Sequence, residues 1–166
     1  MKEDEQTMQS DKRLTECYQK ALADKDIIKV TENTRMVFFS DVHRGDNSLA
    51  DEFARNQTIF AYALEYYNKL GYHYLELGDG DELWEYKKFS LIRSAHSDIF
   101  YLLKKFYDDS RFTYFYGNHN MMFRNPNKVK ELHQFYDDYQ DIETSLFPGI
   151  KIYESMVLKD EKSQKE

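Results

Sequence analysis

The sequence predicts an α/β fold in which helices alternate with strands that pair in parallel. Three observations carry this. Short continuous apolar runs, Met36-Val37-Phe38-Phe39 first among them, mark strands buried on both faces. The segments between such runs repeat apolar residues at steps of three and four, as amphipathic helices do. Each strand-like run then gives way to a polar loop: Ser40-Asp41-Val42-His43-Arg44-Gly45-Asp46, Gly78-Asp79-Gly80-Asp81-Glu82 and Gly117-Asn118-His119-Asn120.

Taken in order, residues 1–10 are polar, and Leu14, Tyr18, Ala21 and Leu22 set a helix over 11–24. Asp24 to Asn33 reads as a connection and Arg35 to Ser40 as the first strand. A helix over about 48–70 carries Leu49, Phe53, Phe60, Leu64 and Tyr67 on one stripe. Ser48 and Asp51 have capping-box spacing at its start, and Gly71 suits its end. Tyr72 to Leu77 is the second strand. A helix over about 83–108 buries Phe89, Ile92, His96, Ile99, Leu103 and Phe106. Phe112 to Tyr116 is the third strand. Asn127 to Tyr139 reads as a helix, with Val129, Leu132, Tyr136 and Tyr139 on one side and Pro126 in its first turn. Pro148-Gly149 is a turn and 150–158 one or two strands. The order α-β-α-β-α-β-α-β implies parallel strands with right-handed crossovers, and ligands outside the strands' carboxyl ends.

Composition bounds the function. The chain of 166 residues is one domain's length, and 41% hydrophobic with 32% charged residues describes a globular chain with a core. A net charge of −7 argues against sequence-independent nucleic-acid binding, which needs basic patches. The single cysteine, Cys17, cannot form an intrachain disulfide. Met1 to Arg13 has no apolar h-region, and no apolar run approaches membrane-spanning length. A reducing cytoplasm is the expected compartment.

The three polar loops carry the chemistry. Asp41 and His43 are two apart, so in extended backbone they point the same way and can grip one cation. Asp79 lies between Gly78 and Gly80, which allow sharp turning and close approach. Asn118 offers a neutral oxygen, and His119 can ligate or donate a proton. Oxygen and imidazole donors without thiolates suit Mn, Fe, Zn or similar divalent ions. Each loop alone is more often a cap or an ordinary turn; three at successive strand ends point to one site.

Asp41-x-His43, Gly78-Asp79-x-x-Glu82 and Gly117-Asn118-His119-Asn120 resemble the first three motifs of the calcineurin-like metallophosphoesterases. Asn120 stands where that family has an acid. The resemblance covers residues 34–125. It implies the N-terminal half of a metallophosphoesterase-type αββα sandwich, with three parallel core strands and crossover helices. It implies a dinuclear site hydrolysing a phosphoester substrate, with Asp41, His43, Asp79 and Asn118 as ligands of two divalent metal ions. His119 then serves the leaving group as the catalytic residue, and Arg44 is a candidate for the substrate phosphate, against the alternative of a solvent-facing arginine. The bacterial UDP-diacylglucosamine hydrolases share these motifs. The family's downstream Gly-His-x-His stretch has no counterpart here: after His119 only His133 remains, within a predicted helix beside its apolar stripe and expected to be partly buried and structural. The expectation is therefore an N-terminal segment over 1–33 and an incomplete phosphoesterase domain over 34–166, truncated at its C-terminus. Lys159 to Ser163 reads as a hairpin turn without a returning strand. Impaired phosphatase or phosphodiesterase activity follows, with a complementary C-terminal fragment as the candidate partner. The alternative is an inactive half-domain that binds or assembles without chemistry.

Overall fold

The computed structural model describes residues 2–138 and 140–162. They form two compact units, one made of residues up to Thr34 and from Glu154 onward, the other of Arg35–Tyr153.

In the first unit α1 spans Lys2–Ala23, longer than expected, because the preceding Glu, Gln and Met residues are good helix formers. The expected connection contains β1, Ile27–Val30, whose β-branched residues suit a strand. It pairs in parallel with β8, Val157–Asp160, from Ile27 opposite Val157 to Val30 opposite Asp160. Lys159 and Asp160 thus belong to a strand rather than a hairpin turn. Glu161 and Lys162 form the turn, and Ser163 lies outside the described residues.

The second unit is a parallel sheet flanked by helices. Its strands are β2 (Met36–Phe39), β3 (His73–Leu77), β4 (Phe112–Phe115) and β7 (Ile152–Tyr153), in spatial order β2-β3-β4-β7. All three pairings are parallel. Helix α2 (Gln57–Lys69) joins β2 to β3; α3 (Phe89–Ala95) and α4 (Ser97–Asp108) join β3 to β4. Leu64, Ile92, Ile99, Leu103 and Phe106 are buried among the aromatic rings on this face. Phe39 packs on Phe60, Tyr67 and Tyr74 at centroid distances of 5.1, 6.4 and 5.6 Å. Its neighbour Phe38 therefore points to the other face, where it is 47% exposed and Leu77 43%.

Three elements depart from the sequence reading. The helix expected over 48–70 begins as a 3₁₀ turn, Phe53–Arg55, followed by α2. The Asp51 carboxylate accepts the N–H groups of Phe53 and Ala54 at 3.0 and 3.3 Å, so it caps this turn instead of lying inside a helix. The helix expected over 83–108 breaks at His96, whose φ of −120° and ψ of 38° are not helical. Its ring is held by Gln57 at 2.6 Å and Asp51 at 2.7 Å, a tie that a continuous helix does not need. Helix α5 ends at His133 after starting at Pro126. Beyond it Gln134–Asp137 forms β5, antiparallel to β6, Ile142–Ser145, with Asp141 turning at φ 56°. Tyr136 thus lies on a strand, and Tyr139 lies outside the described residues. Among the described residues no helix is long and apolar enough to cross a membrane.

Candidate metal centre

The carboxyl ends of β2, β3 and β4 carry the three polar loops, and backbone hydrogen bonds join the first two. Asp41 N–H donates to the Gly78 carbonyl at 3.3 Å, His43 N–H to Asp79 at 2.9 Å and Arg44 N–H to Gly80 at 3.0 Å. The third loop joins through side chains and bare backbone. Gly117 packs so closely on Asp79 that a Cβ there would lie 2.3 Å from Asp79 Oδ1. His119 N–H donates to that same oxygen at 2.7 Å. Asn118 sits between these two contacts, so its backbone is at the site. Asn120 is buried and anchors the loop by accepting Gly117 N–H at 2.6 Å.

Asp41, His43 and Asp79 offer ligand atoms within 4.8 Å of one another. Their convergence does not come from extended backbone, as the sequence suggested. Asp41, His43 and Asp79 have φ of 53°, 51° and 48°, the left-handed region that non-glycine residues rarely adopt. Two left-handed residues, Asp41 and His43, not a strand's alternation, bring His43 Nε2 within 3.9 Å of Asp41 Oδ1. Asp41 is exposed and Asp79 nearly buried, so a cation held here has one open side.

A second cluster, His43, Glu82 and His119, shares His43. Glu82 Oε2 meets His43 Nδ1 at 2.8 Å and His119 Nδ1 at 2.5 Å. These separations are hydrogen bonds; two ligands at right angles on one ion at ordinary bond lengths stand about 3 Å apart or more. Glu82 Oε1 accepts the N–H groups of Trp84 and Glu85 at 3.0 and 3.2 Å. Burial pushes the Glu82 carboxyl up, but the hydrogen bonds from His43, the two N–H groups and His119 outweigh it and hold it below its usual value. Glu82 therefore fixes both imidazoles by Nδ1 and leaves each Nε2 for other work. The two rings meet edge to face at 4.5 Å, and Trp84 lies against His119 at 4.3 Å, tilted by 33°.

Beneath the site lies a buried ionic platform, and Arg44 is its centre. Its guanidinium donates to Glu76 at 2.8 and 2.5 Å and to Asp81 at 2.8 Å. Tyr74 O–H donates to Glu76 at 2.7 Å, and Tyr114 O–H to Asp81. Burial lowers the Arg44 affinity for its proton, but Asp81 and Glu76 more than reverse this and raise it. Arg44 is fully buried, which corrects both sequence readings: it reaches neither substrate nor solvent. Gly80 is dictated by this platform, since a Cβ there would lie 1.8 Å from Glu76 Oε1.

The remaining histidines are held by side-chain partners or packed among aromatic rings. His73 Nε2 meets Thr113 Oγ1 at 2.7 Å, and both His96 nitrogens are bonded. His133 sits among Phe89, Phe123 and Phe147 with neither ring nitrogen hydrogen-bonded. Sequence reasoning missed the roles of Glu82 and Trp84. Glu82 stood inside a quoted motif, three residues from Asp79; Trp84 gave no signal beyond being the chain's one tryptophan. No family model, curated protein or solved structure matches the chain.

Proposed function

We propose that this protein hydrolyses phosphoesters with the help of divalent cations held at the ends of β2, β3 and β4. The observation that carries the reading is the convergence of Asp41, His43 and Asp79 within 4.8 Å beside a histidine, His119, that is positioned but uncommitted at Nε2. The donor set fits a first cation: two carboxylates and an imidazole whose other nitrogen has an outer-sphere partner in Glu82. Asp79 and Asn118 are the candidate ligands of a second. Bound divalent ions would supply charge stabilisation and an activated water. His119 Nε2 would hold a proton for the leaving oxygen, while Glu82 orients the ring. The parallel sheet with helices on its Phe39 face supports reading this unit as one half of a metallophosphoesterase-type αββα sandwich.

One observation favours the alternative of a binding site without turnover. Among the described residues the second cluster shares His43 with the first and is closed by hydrogen bonds, so a second cation has few protein ligands. Metal stoichiometry and hydrolysis of nitrophenyl phosphate mono- and diesters with Mn²⁺ separate the two. Turnover that disappears in Asp41→Ala and His43→Ala supports the enzyme. One bound ion with no turnover above those variants supports the alternative, and absence of metal binding sinks both.

A further inference from the structure

Trp84 is 56% exposed, yet it is not loosely held. Its backbone N–H donates to Glu82 Oε1 at 3.0 Å, and its ring lies against His119 at 4.3 Å with 33° between planes. The carboxylate that orients His119 through one oxygen thus anchors the Trp84 backbone through the other, and the ring contact with His119 is what places the indole. A singly exposed aromatic is ordinary. An exposed indole set against the histidine that Glu82 orients is an aromatic surface beside the proposed leaving-group side. More than half of its surface remains open.

We propose that Trp84 and His119 form an aromatic subsite that takes a planar aromatic group on the leaving-group side of the phosphoester. The inference rests on the phosphoesterase reading for its placement, but its stacking chemistry does not need a metal. Indole faces stack on nucleobases and aryl rings alike, with little discrimination between them. The shared chemistry is a flat π-system one ester linkage or one sugar away from phosphorus. Such a group would be sandwiched against the indole while its ester oxygen lies near His119.

The chain's one tryptophan reports directly on this. Trp84 fluorescence is titrated without metal using adenosine, phenol and ribose as probes. Saturable quenching by adenosine or phenol, with none by ribose, is expected, and the two aromatic arms distinguish a nucleobase from an aryl preference. Calorimetry with Mg²⁺ then compares adenosine 5′-phosphate, phenyl phosphate and ribose 5-phosphate. Trp84→Ala should weaken the better aromatic phosphate about tenfold, leave ribose 5-phosphate within about twofold, and be rescued by Trp84→Phe. Absence of quenching by either aromatic probe, or equal weakening of aromatic and sugar phosphates, overturns the subsite. Quenching without hydrolysis of any ester leaves the subsite standing and counts against the phosphoesterase reading alone.

Discussion

The backbone N–H of His119 donates to Asp79 Oδ1 at 2.7 Å. One oxygen of the most buried candidate ligand therefore also sets where the third loop stands. Metal binding and the placement of His119 are linked through a single carboxylate, and substitutions at either end have separable consequences.

His119→Ala keeps the backbone N–H, and with it the hydrogen bond to Asp79. Metal content is expected to be retained while turnover falls by about 10²–10⁴-fold, the usual worth of general acid catalysis. Metal analysis beside steady-state kinetics checks this. Equal loss of both would make His119 a ligand.

Gly117→Ala attacks the same contact from the other side. Its Cβ would lie 2.3 Å from Asp79 Oδ1, and Asp79 has no slack because its backbone is already in the left-handed region. Overpacking of this kind costs about 1–3 kcal/mol. Metal affinity is expected to fall sharply while circular dichroism keeps its α/β signature. Titration calorimetry reads the first and the spectrum the second.

Arg44→Ala is expected to lower stability by about 3–5 kcal/mol, because Glu76 and Asp81 remain buried without a counter-charge. Urea unfolding measures this. A variant with near-normal stability and a raised KM would restore Arg44 to the substrate.

His133 sets a pH dependence. Burial among aromatic rings lowers its pKa from 6.5 to about 4, against a smaller opposing pull from Asp81. The unfolded chain then binds the proton first, so this contribution is complete above pH 6.5 and is lost as pH falls from 6.5 towards 4. The full effect is about 3 kcal/mol. His133→Phe removes two unbonded polar atoms and is expected to raise stability at neutral pH and flatten the acid limb in that window. Unfolding free energies between pH 4 and 7 test it, and an unchanged slope would assign the acid loss to other groups.

The sheet strands were legible because each is a short apolar run bounded by polar residues, and the first three fell within a residue or two of their expected limits. Helix continuity was not. His96 fits a buried helical stripe by spacing, and only its bonds to Asp51 and Gln57, 45 and 39 residues away, explain the break there. β1 was missed because its partner β8 lies at the far end of the chain, and strand pairing at that separation leaves no local trace. At the site, Asp41, His43 and Asp79 were legible as donors but not as residues of left-handed backbone. Arg44 misled because its sequence neighbours are polar, whereas its spatial neighbours are Glu76, Asp81 and the ring of Phe100 at 5.1 Å.

The buried platform also bears on how the sheet assembles. β2 and β3 align from Met36 opposite His73 to Phe39 opposite Glu76. Sliding β2 by two residues would keep every side chain on its proper face, so apolar burial alone barely penalises the error. The slide carries Arg44 about 7 Å along the strand direction. Glu76 and Asp81 would then sit in the interior with their guanidinium out of reach. A misaligned sheet would leave these charges buried and unpaired, so the ionic cluster selects the native register.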